Sequence, residues 1–288
     1  MKKKLLLSAL ALLTFLTTGC FKRDNLEDIK IYTTVYPIEY ITNMLYGTHS
    51  EIFSIYPNGV DPNQYELTDK QIKDYSKSSL FIFNGTGKEK DYVIPMFNHN
   101  KNLKIIDSSI TMEYTNEIEE LWLDPSNFLM MSQNIKNGLK EYINNQYLKN
   151  EIDTNYENLK ISISNIDARL KVITDSSRNK TIVVSNDLFQ FLSKYNFNVI
   201  SLEENDKLTE KTVVNVKNMI KNGEISYIFI KQNEEPNNTI KSIQKETGVQ
   251  LVELHSLSNL SEEEKKADKN YITLMNENME LLKNELYD

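Results

Sequence analysis

From residue 152 onwards the apolar residues fall at Ile152, Tyr156, Leu159, Ile163, Ile166, Leu170 and Ile173, in steps of four and three. That alternation puts all of them on one face of an α-helix and predicts a continuous apolar stripe. No glycine or proline interrupts 149–177, so such a helix runs roughly 40 Å at 1.5 Å per residue. Ahead of it the pattern switches repeatedly. Short β-branched and aromatic runs at 29–36, 52–56, 80–83 and 103–106 predict strands, and helical periodicity predicts helices over 38–46, 68–76 and 88–97. Asp124-Pro125-Ser126 pairs a capping aspartate with a proline suited to a first helical turn. After the long helix the alternation resumes. Strands are predicted at 181–184, 199–202, 225–230 and 251–254, helices over 187–195, 210–221 and 237–247, and a terminal helix from about 265 to 286. Alternating strands and helices indicate βα units around parallel sheets. The fold expected is α/β and bilobal, with two parallel-sheet lobes (29–148 and 179–288) joined by one long helix (149–178). A coiled-coil dimer is the alternative use of the stripe.

The segment before residue 29 reads differently. Lys2, Lys3 and Lys4 precede an apolar run from Leu5 to Leu16, which leads through Thr17, Thr18 and Gly19 to Cys20, the single cysteine. Such a run is too short to span a bilayer core of ~30 Å. It has the form of a secretory signal peptide over 1–19. The small residues before Cys20 resemble a bacterial lipobox, although Thr17 stands where leucine is usual and Leu16 lies one place early. Cys20 is then the lipidation site, with 20–28 a charged, flexible tether. An uncleaved anchor with an incidental cysteine is the competing reading. Lipidation implies an exported chain, anchored at the outer face of the cytoplasmic membrane, without disulfide or thiolate metal site. Cleavage removes three lysines and no acidic residue, taking the net charge from −8 to −11. That charge argues against nucleic acid as a partner and mildly favours cations.

Four loops at predicted strand ends stand out, at 56–68, 117–125, 185–189 and 253–260. Lobes whose strand ends face each other form a cleft there. Seven segments along the chain, in order, resemble the solute-binding lipoproteins of zinc and manganese ABC transporters. They are Ile31-Tyr-Thr-Thr-Val-Tyr-Pro37, Tyr56-Pro-Asn-Gly-Val-Asp-Pro-Asn-Gln-Tyr-Glu66, Phe83-Asn-Gly-Thr-Gly87, Trp122-Leu-Asp-Pro125, Ser185-Asn-Asp-Leu-Phe189, Glu246-Thr-Gly248 and the stretch 271–282. The resemblance implies a receptor that delivers a divalent metal ion to a membrane permease, without catalysis, as a monomer.

It also implies where ligands belong, and there the sequence departs. Asn63 and Glu120 stand where the family has histidine, Asn186 where it has histidine or glutamate, and His255 where it has an acidic residue. Tyr65, Glu66 and Trp122 are expected to support these positions from behind. Zinc prefers imidazole and thiolate in tetrahedral arrays. One imidazole, one carboxylate and two amides suit manganese or calcium better, and equally make a polar cage for a small organic ligand. The local readings of the same residues are turn chemistry for Asn63, a solvated acidic run with Glu117 and Glu119 for Glu120, a helix N-cap for Asn186 and a surface histidine for His255. A non-metal surface lipoprotein or adhesin that uses the scaffold for another ligand or a protein partner is the second functional expectation. No Gly-x-Ser-x-Gly elbow, His-Glu-x-x-His pair or phosphate loop points to an enzyme.

Overall fold

A computed structural model of the 288-residue chain describes residues 26–177 and 179–287. The signal segment, Cys20 and the start of the tether lie outside the described residues. The first lobe carries β1 (Ile29–Thr33), β2 (Ser50–Ser54), β3 (Leu80–Phe83) and β4 (Lys104–Asp107) in the order β2-β1-β3-β4, all parallel. The second carries β5 (Thr181–Val184), β6 (Asn198–Ser201), β7 (Tyr227–Lys231) and β8 (Gln250–Leu254) in the order β6-β5-β7-β8, again all parallel. In each sheet the order reverses beside the first strand, and that switch point is where open α/β sheets bind ligands.

Helices α1 (Tyr36–Tyr46), α2 (Asp69–Tyr75), α3 (Lys90–His99), α4 (Glu120–Leu123) and α5 (Pro125–Tyr142) belong to the first half. The run expected to be strand through residue 36 ends at Thr33, because Tyr36-Pro37 opens α1 with proline in its first turn. Thr68 and Gln71 close a capping box on α2, and the Asp124 side chain accepts from the Ser126 N–H to cap α5. Helix α5 lies close over β4. A Cβ at Gly138 would sit 2.7 Å from Ile106 Cγ1, so glycine permits that approach.

The long helix α6 runs from Gln146 to Asp175, capped by Asn145, about 45 Å in length. Its whole stripe is buried, from Ile152 through Ile173. It packs on α1 and α5 of the first lobe and on α10 (Tyr271–Tyr287) of the second, so the stripe is covered from within the chain. Beyond α6 come α7 (Glu210–Lys221), α8 (Asn238–Thr247) and α9 (Glu262–Lys266). The single terminal helix expected from residue 265 is two, α9 and α10. Asp268 adopts φ +52° between them, and Asn270 and Thr273 bond reciprocally at the start of α10. Residues 187–195 form 3₁₀ rather than α-helix. Among the described residues no helix is long and apolar enough to cross a membrane.

The main core is continuous from one lobe to the other. At the seam, Tyr271 at the start of α10 stacks on Phe128 of α5 with centroids 4.0 Å apart, and its hydroxyl donates to the Trp122 carbonyl at 2.6 Å. A smaller cluster, centred on Val183, Val216 and Ile240, lies under α7 and α8.

Candidate functional site

The carboxyl ends of both sheets face a shared cleft of about 910 Å³. Its walls come from the loops after β2, β4, β5, β6, β7 and β8. Backbone contacts fix the loops to each other across the lobes. Gly59, at φ +72°, donates its N–H to the Leu260 carbonyl at 2.8 Å, and the Asn259 amide donates to the carbonyls of Pro57 and Val60. The Tyr36 N–H donates to the Ser258 carbonyl at 3.0 Å, and the Trp122 indole to that of Ser256 at 2.8 Å. The Trp122 indole therefore ties the late loop to the first lobe.

Of the four family-equivalent positions, Asn186 is among the cleft-lining residues and Asn63, Glu120 and His255 are not. Asn186 lines the cleft, where its Oδ1 caps the 3₁₀ segment by accepting from the Leu188 N–H and its Nδ2 donates to Glu234 at 2.8 Å. Asn63 is exposed between two lining residues, Pro62 and Gln64; its N–H donates to Asp61 and its carbonyl accepts from Lys88. Glu120 is buried rather than part of a solvated run, and its carboxylate accepts from the Thr115 N–H at 3.0 Å and the Asn116 amide at 2.6 Å. His255 is buried too. Its Nδ1 accepts from the Leu257 N–H at 2.8 Å, which places the ring proton on Nε2, 3.1 Å from Glu264 Oε1. Burial lowers the imidazole pKa although Glu264 opposes the shift. Among the described residues no three His, Cys, Asp or Glu side chains cluster as a metal cage. Of the other two supporting positions, Tyr65 is half-buried and its hydroxyl accepts from Gln71 at 2.8 Å, while Glu66 is exposed.

Carboxylates line the cleft instead, Asp61, Glu117, Glu203, Glu234 and Glu264 among them, and among the described lining residues the one lysine is Lys231. Lys231 ends β7 and reaches across the lobes to Glu119, with Nζ 2.5 Å from Oε1. The Glu119 side chain is only 2% exposed. Burial alone would lower the Lys231 pKa, but Glu119, Asp61 and Glu234 together raise it, so the ammonium stays charged. Burial pushes the Glu117 and Glu234 carboxyls up; Glu119 and Glu203 add to the effect at Glu117, while Lys231 opposes it at both. Ser258 Oγ, buried in the same wall, has no hydrogen-bond partner. The loops after β6 and β7 escape a search for loop motifs. The signal for them is topological, since every strand of a parallel sheet delivers its carboxyl end to the same edge.

Comparison with known proteins agrees with this architecture. The zinc-binding protein AdcA of Streptococcus pyogenes serotype M1 is 23% identical over 321 residues, covering 98% of this chain and 61% of the relative. The chain thus spans about 61% of the length of such AdcA relatives. A metal ABC transporter substrate-binding lipoprotein of Lactococcus lactis subsp. lactis (strain IL1403) is 26% identical over 268 residues, 84% of each chain. The Zn(II)-bound ZnuA-like domain of Streptococcus pneumoniae AdcA superposes with a TM-score of 0.73 at 20% identity, covering 91% of this chain and 100% of the domain. The family model for the periplasmic zinc-uptake complex component A, ZnuA, matches residues 31–285, and the chain belongs to that family.

Proposed function

We propose that the chain is the extracytoplasmic solute-binding component of an ABC uptake system, delivering a divalent cation of the manganese or zinc class to a membrane permease. The observation that carries this reading is the acid-rich cleft at the carboxyl ends of both sheets. Carboxylates at that density favour a cation over an anionic or neutral cargo. The reading takes the cargo between the loops that hold Asn63, Glu120, Asn186 and His255, with Asp61, Glu119 and Glu234 supplying the negative charge. Amide and carboxylate oxygens outnumber nitrogen donors in that set. The preference therefore runs toward manganese or calcium relative to a histidine-rich relative. The protein works without catalysis, as a lipid-anchored monomer at the outer face of the cytoplasmic membrane. Its lobes share one core and a stiff helix, so cargo binding moves loops more than lobes.

A second reading is favoured by the cleft's volume, about 910 Å³, and by Ser258 Oγ standing without a partner. Both suit a small polar organic cation.

Elemental analysis of the natively purified protein, with thermal melting in Zn²⁺, Mn²⁺, Fe²⁺, Ca²⁺ and small organic amines, tests both. A cation present at about a hundredfold its Kd should raise the melting temperature by about 5 °C. No shift with any metal ion sinks the first reading, and a shift with amines alone supports the second.

A further inference from the structure

One face of the first sheet is left open at its edge. Tyr32 on β1 pairs in register with Phe53 on β2 and Phe81 on β3, so the three rings stand side by side on one face, opposite the buried Ile29 and Ile31. Phe81 is fully buried, Tyr32 is half-buried and Phe53 is 40% exposed. The face is therefore covered over β3 and open at β2. Tyr75 of α2 extends the rings, with its centroid 4.5 Å from that of Tyr32, and Lys30 Nζ lies 4.9 Å from the Phe53 centroid. Lys70, Lys73 and Lys77 act on Asp74, the neighbour of Tyr75. Lys30, Lys70, Lys73 and Lys77 thus outnumber Glu51, Asp69 and Asp74 around the rings, on a chain whose net charge is −8.

The chain enters the lobe beside this patch. The Leu26 carbonyl accepts from the Tyr46 hydroxyl at 2.8 Å, and the Asp28 N–H donates to the His49 carbonyl at 2.8 Å. These bonds tie the entry to the amino ends of β1 and β2, and Lys30 follows two residues later. Cys20 precedes Leu26 by six residues, so a lipid on Cys20 joins the chain at most about 22 Å from that entry.

We propose that this patch is a membrane-docking face: the rings of Phe53, Tyr32 and Tyr75 lie at the headgroup level of the membrane that holds the anchor, with the surrounding lysines against its anionic lipids. The proposal rests on the lipid anchor at Cys20 in the function proposed above. Tyrosine and phenylalanine beside lysine suit a surface that is apolar below and wet above, and each lysine near anionic headgroups adds to the attraction. A lipid surface is also the partner that the anchor keeps within reach of the patch. Docking then occurs at high effective concentration, and a small patch suffices where a free partner would need a larger one. With this face down, the strands of the first sheet run along the membrane plane. The cleft at their carboxyl ends then opens sideways, along the membrane.

The test couples the full mature chain through the Cys20 thiol, its single one, to maleimide-bearing lipid. The vesicles are phosphatidylcholine with phosphatidylglycerol, their acyl chains labelled with bromine to quench any indole that reaches them. Phe53→Trp reports on the patch, and Val214→Trp, 56% exposed on α7 of the second lobe, is the control. Trp122 is buried and gives both the same background. On coupling, Phe53→Trp should lose emission and Val214→Trp should not. Vesicles without phosphatidylglycerol, or Lys30→Glu with Lys73→Glu on the same chain, should reduce the loss. In wild type, amine acylation mapped by mass spectrometry should fall at Lys30 and Lys73 on coupling, a readout that needs no variant to fold. Equal quenching at both positions, or none at Phe53→Trp with lysine reactivity unchanged, overturns the proposal. So does a response of Phe53→Trp to soluble cell-wall glycan, or to rising protein concentration, that vesicles do not produce. Chemical coupling supplies the anchor, so a failure here is distinct from a failure of lipidation, which fractionation of cells carrying Cys20→Ser reads separately.

Discussion

At the scale of single residues, burial decides chemistry that composition leaves open. Glu89 is the clearest case. It is 4% exposed and precedes α3, and burial pushes its carboxyl up to about 7. Below the ordinary glutamate range both folded and unfolded chains carry the proton. Between that range and about pH 7 the unfolded chain loses it while the folded chain keeps it. Stability therefore falls as pH rises through this window, by on the order of 3 kcal/mol. Glu89→Gln should leave stability unchanged near pH 4 and raise it near pH 8, with the difference read from urea melts at the two pH values. A variant curve parallel to wild type across the window would show that Glu89 ionises freely in the folded protein. Glu120 and His255 teach a related point. Glu120 is satisfied by Thr115 and Asn116, a few residues back, and that contact was open to inspection in the sequence. His255 is held by Asn278 and Glu264, from two different helices, which local reading could not join.

At the scale of elements, periodicity was the dependable guide. The stripe on α6 reads directly from the spacing of its apolar residues, and the structure covers every one of them. Ile163 is fully buried, whereas Ile161, two positions away, is 62% exposed. Ile163→Asp places an unpaired charge in the core and should cost at least about 4 kcal/mol. Ile161→Asp on the same helix should stay within about 0.5 kcal/mol. Thermal melts of the two variants make the comparison with helix propensity nearly cancelled. Equal effects would mean that the stripe is not what docks the helix. Element ends were less legible. The break between α9 and α10 depends on Asp268 entering the left-handed region, and no glycine or proline marks it. The periodic run from 262 to 287 masks that turn.

For the molecule as a whole, the lobes are bound into one body. The core passes through the seam, Tyr271 and Trp122 bridge it, and Asp124 of the first lobe pairs with Lys194 of the second. In the proposed function such a body would present cargo by loop ordering, and a lipid anchor at Cys20 would set where it does so. Cys20→Ser removes the single thiol of the chain. The exported protein should then appear unprocessed or released to the medium, as cell fractionation and mass of the N-terminal peptide would reveal. Membrane association that survived both the substitution and signal cleavage would refute lipid anchoring.

The sequence by itself determined the alternation of strand and helix, the long helix and its buried face, and the caps at Asp124 and Asn186. These follow from local periodicity and backbone hydrogen bonding, which act over a few residues. Only the tertiary structure decided which side chains reach the cleft. Lys231 meets Glu119 across 112 positions, and Asn186 meets Glu234 across 48. Parallel sheets bring such distant strand ends to one edge, and there the competition among buried charges settles which carboxylates are paired.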